Sequence, residues 1–178
     1  MAQYGRITQG ASWLSFEDLR RGRKITLSAT ETATGILAYV RSQGSATNGT
    51  RAALYNAVDG TLAYQSNELA GFTDTTGQWR TYVISSSIAA GDYWLTIYAQ
   101  SIAGGLNTVQ IATDTVGADA NLYEAWFNDG TAWPSQMADL TGAENGSNTD
   151  NISIYLETAA GATQAPRSSA FLRMLMNN

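Results

Sequence analysis

The amino-acid sequence predicts an all-β protein, a jelly-roll-like antiparallel β-sandwich of about 8–10 strands with a short C-terminal extension. Short runs of β-branched and aromatic residues recur along the chain, and clusters of Gly, Asn, Asp and Ser separate them. Patterns typical of an amphipathic helix are scarce. The 178 residues include no cysteine, and a chain of this length buries enough apolar surface to fold without disulfides.

The predicted strands follow one another at short intervals: 24–29, 33–41, 51–56, 61–66, 78–85, 92–99, 108–113, 121–127 and 151–158. An Asp-Gly pair at 59–60 is typical of a tight turn, so 51–66 is predicted to be a hairpin. The run 92–99 has apolar side chains on both faces, which indicates a central strand covered on two sides. Trp79 and Trp94 lie in predicted strands, and we expect both in the core.

One short helix is predicted near the N-terminus. Ser15 followed by Asp18 resembles a capping pattern, which favours about two helical turns over residues 15–21.

The chain is predicted to divide into a domain and a tail. Residues 1–160 form the β-sandwich domain, with 1–23 as an N-terminal arm that leads into it, and 161–178 form a flexible connector and an apolar tail. Five large apolar side chains in this tail need to pack on the sandwich or on a partner subunit: Phe171, Leu172, Met174, Leu175 and Met176.

Composition excludes several classes of enzyme. The chain has no histidine and no cysteine, which removes the commonest general base, the base of a serine triad and the thiolate ligands of zinc. Neither a Gly-rich phosphate-binding motif nor a G-x-S-x-G nucleophile elbow occurs. Two carboxylates suffice for glycoside hydrolysis, but the candidates are scattered and typical of solvating groups: Glu124, Asp129, Asp139 and Glu144. We therefore predict no catalytic residues and no enzyme.

We predict no cofactor and no metal ligands. A structural calcium ion is the alternative that the residue types leave open, because calcium takes only oxygen ligands. The candidate ligands lie in predicted loops: Asp114, Asp119, Asn128, Asp129, Asn148 and Asp150. No EF-hand motif is present.

The charges are unevenly distributed along the chain. Residues 60–160 contain eleven acidic residues and one basic residue, Arg80, within a net charge of −5. An acidic body excludes nucleic acid as a partner, since phosphate binding needs clustered Lys and Arg. The one basic cluster is Arg20, Arg21, Arg23 and Lys24. It is either a solvated turn or a contact for an acidic partner protein.

Targeting signals are not visible. Residues 1–6 lack the basic and apolar regions of a signal peptide, and no apolar run is long enough to span a membrane. We expect synthesis in a cytoplasm without a signal peptide, and no membrane partner.

Aromatic residues favour a binding surface. Five Trp and nine Tyr are many for this length. Trp126 and Trp133 flank an Asn-Asp-Gly sequence and, with Tyr123, are candidates for stacking on a glycan or for a subunit interface; plain packing is the third alternative.

Four segments carry a resemblance to a known group of proteins: GRITQGAS at 5–12, KITLS followed by GILAYV at 24–40, IAAGDYWL at 88–95, and NISIY at 151–155. Their order resembles β-sandwich proteins of tailed bacteriophages, some of which are described as carbohydrate-binding-like. The resemblance covers residues 4–157. It implies a virion structural protein, either a head decoration protein or a tail or fibre component.

The function that we expect from this resemblance is non-enzymatic. The chain would be a capsid decoration or minor structural protein that binds and stabilises the assembled particle. Its expected partners are other capsid or tail proteins and further copies of itself in a homo-oligomer. The predicted contacts are Arg20, Arg21, Arg23, Phe171, Leu172 and Leu175. The alternative is a carbohydrate-binding module of a tail or fibre that binds host-surface glycans.

Overall fold

A computed structural model describes residues 1–15, 19–43, 49–99, 109–115, 122–126 and 150–159, with the backbone alone at 19–20 and 122–126. These residues form twelve strands: β1 (Ala2–Gly5), β2 (Ser12–Ser15), β3 (Leu19–Leu27), β4 (Glu31–Ser42), β5 (Thr50–Asn56), β6 (Leu62–Gln65), β7 (Gln78–Ile88), β8 (Gly91–Ala99), β9 (Val109–Thr115), β10 (Leu122–Trp126), β11 (Asp150–Ile152) and β12 (Ile154–Thr158). Within this part of the chain there is no helix that could cross a membrane.

The strands form two antiparallel sheets. The first sheet has the order β1-β12-β4-β9-β11, with β2 paired to β9 and β7 paired to β4, and the second has the order β10-β3-β8-β5-β6. Most consecutive strands lie in opposite sheets. For example, β4 lies in the first sheet, whereas β3 and β5 lie in the second. The predicted all-β sandwich is therefore confirmed, with twelve strands among the described residues where about 8–10 were predicted.

Two predictions about particular strands are confirmed. β8 lies in the middle of the second sheet, and every residue from Tyr93 to Ala99 is buried. β5 and β6 form an antiparallel hairpin, in which Gly60 adopts φ 70° and donates its N–H to the Asn56 carbonyl. A left-handed backbone of this kind favours glycine at the turn.

The core lies between the two sheets. Ile36, Ala38 and Val40 of β4 are fully buried there together with Leu95 and Ile97 of β8. Alternation along each strand places these side chains on one face. Ile152, Ile154 and Leu156 near the end of the described chain are buried too, as the sequence predicts.

One polar pair is enclosed in this core. The Tyr82 hydroxyl donates to the Thr50 hydroxyl at 2.9 Å, and burial raises the pKa of Tyr82 to about 12. The bond satisfies both hydroxyl groups where water cannot reach them.

The predicted helix over residues 15–21 is wrong. Ser15 ends β2, and Leu19–Leu27 is one continuous strand. Arg20 to Leu27 pair with β8 residue by residue. A helix of two turns is marginal by itself, and the backbone bonds and core contacts of a long strand outweigh the local capping pattern. The segment predicted as an N-terminal arm thus contributes β1, β2 and the start of β3 to the sheets.

The two tryptophans predicted for the core have different outcomes. Trp94 is 8% exposed, so the prediction that it is buried is confirmed, but it packs in a second, smaller cluster with Ala53 and Tyr55 on the outer face of the second sheet. The prediction for Trp79 is wrong, because its side chain is half-buried on the outer face of the first sheet. β7 turns Tyr82 and Ile84 toward the core, and period-two alternation then turns Trp79 outward.

Candidate functional site

Three arginines meet two aspartates and an asparagine at one end of the sandwich. Arg6 binds the Asp114 carboxylate and donates to the Asn151 carbonyl at 2.5 Å. Arg23 donates to the Asn151 side-chain oxygen at 2.9 Å, and Arg21 lies 3.6 Å from the Asp150 carboxylate. β3 belongs to the second sheet, whereas β9 and β11 belong to the first. This polar junction therefore ties the two sheets together.

The polar junction includes two of the predicted contact residues. Arg21 is 5% exposed, so a partner protein could reach little of it, and Arg23 is half-buried. Both lie on the inward face of β3, the face that carries Ile25 and Leu27. Their positive charge is used within the chain.

Asp114 is the carboxylate of the polar junction whose protonation is most clearly affected. The Ala11 N–H donates to it at 2.7 Å, and this bond, together with the Arg6 guanidinium, lowers the pKa of Asp114. Both interactions favour the ionised form. The carboxylate is therefore stably charged at neutral pH.

The remaining predicted site residues lie on the edge strand β10, on its neighbour β3, or outside the described residues. Arg20 in β3 pairs with Ala125 in β10, and the same strand β10 carries Tyr123 opposite Gly22 and Trp126 opposite Leu19. The backbone thus brings part of the basic cluster and two of the candidate aromatics to adjacent strands at the edge of the second sheet. The others lie outside the described residues: Trp133, Phe171, Leu172 and Leu175.

A row of aromatic side chains crosses the outer face of the first sheet. Trp13 stacks on Tyr39 with ring centroids 5.7 Å apart, and Tyr39 meets Trp79 edge-on at 5.3 Å. Trp79 meets Tyr155 edge-on at 5.1 Å. Tyr155 is buried, whereas the other three rings are half-buried. We call these four residues the aromatic row.

Strand pairing and one glycine set the spacing of the aromatic row. Tyr39 in β4 lies directly opposite Trp79 in β7, where cross-strand aromatic pairs stabilise a sheet. Gly77, at φ 90°, lies against the rings of Trp13 and Tyr39, so that a Cβ atom would overlap the Trp13 ring. The chain therefore needs glycine at this position.

Arg41 lies at one end of the aromatic row. Its guanidinium carbon is 4.2 Å from the centroid of the Trp13 ring, and its Nε donates to the Gln110 side-chain oxygen at 2.8 Å. No carboxylate among the described residues forms an ion pair with Arg41. The guanidinium is thus held in place, and neither of its two terminal nitrogens donates to another of the described residues.

β7 is an edge strand of the first sheet within the described residues. It spans eleven residues and pairs with β4 alone among the described strands. Val83, on its outer face, is 65% exposed, and Thr81 beside it is exposed too. Arg80 is turned away from this face and lies 3.9 Å over the Phe72 ring. The outer face of β7 carries no charged residue.

The carboxylates with a resolved shift do not favour acid catalysis. Hydrogen bonds from Thr61 lower the pKa of Asp59, bonds from Thr76 lower that of Asp74, and bonds from Thr26 and Lys24 lower that of Asp92. A carboxyl group that donates a proton at neutral pH needs a raised pKa. These three carboxylates stay ionised.

Two of the candidate calcium ligands are engaged by arginine, since Asp114 faces Arg6 and Asp150 faces Arg21. Across the described ranges, no group of three or more acidic side chains could hold a metal ion. The four other candidates, Asp119, Asn128, Asp129 and Asn148, lie outside those ranges.

Comparison with protein-family models finds no match, and comparison with the curated proteins finds none either.

Sequence reasoning missed the aromatic row and Arg41. Tyr39 and Arg41 alternate with the buried Ile36, Ala38 and Val40, so their outward direction could be inferred from β4 alone. Trp13 gave no such signal, because β2 has only four residues and was not predicted. The pairing of β2 with β9, which places Trp13 opposite Ala112, is a tertiary feature.

Proposed function

We propose that this chain is a non-enzymatic structural protein of a bacteriophage virion, which binds the assembled particle and itself through the surfaces of its two sheets. The observation that carries this proposal is the edge strand β7, whose outer face carries the exposed Val83 and no charged residue. An edge strand presents unpaired backbone N–H and C=O groups that can bind another strand. Recognition then needs a surface and no reactive pocket.

The occupant that we propose for the β7 edge is a second copy of this chain, paired antiparallel about a two-fold axis. The pairing between β4 and β7 is regular from Gln78 to Val83 and shifts register beyond it. A two-fold axis at Thr81 would therefore place Val83 opposite the second copy's Trp79. Aromatic and β-branched side chains form favourable cross-strand pairs. The absence of charge on this face lets two acidic chains approach.

Self-association by this edge has a direct test. Val83→Lys places a charge in the proposed interface, and Val58→Lys makes the same change at a valine that is 90% exposed in the turn before β6. We expect sedimentation to show self-association of the wild type and of Val58→Lys, and a monomeric Val83→Lys chain with unchanged melting temperature. A monomeric wild type, or equal effects of the two variants, would contradict the proposal.

The virion role has its own test. A protein that binds only the assembled state stabilises that state by mass action. Particles made without this chain should therefore disassemble at lower temperature, and electron micrographs should show its density restored on addition of the purified protein. Deletion of residues 166–178, the predicted tail contact, should lower occupancy while the domain remains folded. Particles of equal stability that bind none of the added chain would show that the virion role is wrong.

A second candidate function, binding of host-surface glycans by a tail or fibre module, is favoured by the aromatic row. Its half-buried rings leave apolar surface in water on one face of the sandwich. This candidate needs a saccharide ligand, whereas the first needs only protein partners.

A further inference from the structure

The outer face of the first sheet combines two features of a ligand site. Trp13, Tyr39 and Trp79 are half-exposed rings at fixed spacing, and Arg41 lies beside them with both terminal nitrogens unbound by the described residues. Aromatic rings offer flat apolar surface at low cost in side-chain entropy. The C–H face of a pyranose ring is apolar and of similar width, and its substituents are polar.

We propose that this face binds an acidic saccharide, with the sugar ring packed on the aromatic row and its carboxylate bound by the Arg41 guanidinium. The inference rests on the second candidate function and names its site and ligand class. It does not depend on self-association through β7.

The geometry of Arg41 supports the proposed binding of the saccharide carboxylate. Stacking on Trp13 and the bond from Nε to Gln110 fix the plane of the guanidinium before any ligand arrives. A planar guanidinium binds a carboxylate through two parallel N–H bonds. Because its side chain is already ordered, little entropy is lost on binding.

The surrounding charges favour a saccharide over a nucleic acid. Asp114, on the same strand as Gln110, is neutralised by Arg6 and bound by the Ala11 N–H, so it does not compete for Arg41. The chain as a whole has a net charge of −5. A polyphosphate would be repelled by such a protein, whereas a single carboxylate needs only one cation.

The first experiment compares acidic and neutral probes. Sialyllactose and methyl β-glucuronide, which carry one carboxylate each, are titrated into the full chain by calorimetry, with lactose and methyl β-glucoside as their neutral counterparts. We expect binding of at least one acidic probe and weaker or no binding of its neutral counterpart. Equal affinity for both members of each pair would overturn the carboxylate assignment, and no binding of any probe would overturn the second candidate function as well.

The second experiment locates the site. Arg41→Gln should weaken binding by about ten- to hundredfold, as expected for loss of a charged hydrogen-bond pair. Arg51→Gln is the matched control, since Arg51 lies on the second sheet and forms an ion pair with Glu68. We expect its affinity to be unchanged. Binding that survives Arg41→Gln intact would overturn the site but leave glycan binding as a function.

A third variant pair tests the aromatic row with less risk to folding. Trp13→Phe narrows a half-buried ring surface, and Trp94→Phe makes the same change at a buried ring of the second sheet. We expect only Trp13→Phe to weaken binding. We also expect added saccharide to shift the indole N–H signal of Trp13 in proton–nitrogen correlation NMR spectra of the wild type. If Trp126→Ala abolishes binding and Trp13→Phe does not, the edge strand β10 carries the site and the proposal is overturned.

Discussion

The two outer faces of the sandwich both carry aromatic rings, but in different environments. On the second sheet, Tyr55 is fully buried and Trp94 is 8% exposed, and both pack with Ala53 against Ala57 and Leu62. On the first sheet, the rings of Trp13, Tyr39 and Trp79 are half-buried and contact one another. The comparison teaches that the same residue types are shielded from solvent on one face and keep exposed ring surface on the other.

The largest difference between the faces should appear in truncation of a tryptophan. Trp94→Ala removes a buried ring, which costs about 3–5 kcal/mol of unfolding free energy. Trp79→Ala removes a half-buried ring and should cost about half as much. Urea denaturation of both variants measures the two values. Equal losses would show that the aromatic row is as much a part of the core as Trp94 is.

A smaller effect is expected where a glycine supports the aromatic row. Gly77→Ala places a methyl group against the Trp13 ring at a left-handed φ of 90°, which should cost about 1–3 kcal/mol. Near-UV circular dichroism should change as well, because the rings must move. Gly60→Ala, at φ 70° in the β5–β6 turn, is the control, since it shares the backbone strain but not the ring contact.

The polar junction makes the free energy of unfolding depend on pH. The pKa of Asp114 is lowered in the folded chain, so the unfolded chain takes up the proton at higher pH. Its contribution to stability is present above the ordinary aspartate pKa and is lost as the pH falls through the lowered value. Asp114→Asn should therefore flatten the acid limb of stability measured by urea denaturation. An unchanged acid limb would show that the bonds from Ala11 and Arg6 do not contribute.

The smallest effect is expected at Arg41. Its cation–π contact and its bond to Gln110 lie at a half-exposed position, so Arg41→Gln should change the unfolding free energy by less than about 1 kcal/mol. Thermal denaturation measures it. A larger loss would place Arg41 with the structural residues of the polar junction.

Sequence patterns predicted most of the fold and little of the candidate site. The strand β4 and the hairpin of β5 and β6 follow from alternation and from one turn signal, because both act over a few neighbouring residues. Short strands such as β1 and β2 carry too few residues for a period to show. The capping pattern at Ser15 was locally sound, yet pairing of β3 with β8 prevailed over it.

The sequence alone determined the all-β class, the buried β8 strand and the absence of histidine and cysteine chemistry, since these depend on composition and on local periodicity. Only the tertiary structure decided which way Trp79 faces, that Arg21 and Arg23 turn inward to β11, and that Trp13 stacks on Tyr39. Each of these features depends on strands that are far apart in the chain. Such contacts depend on sheet order and register, which no local pattern encodes.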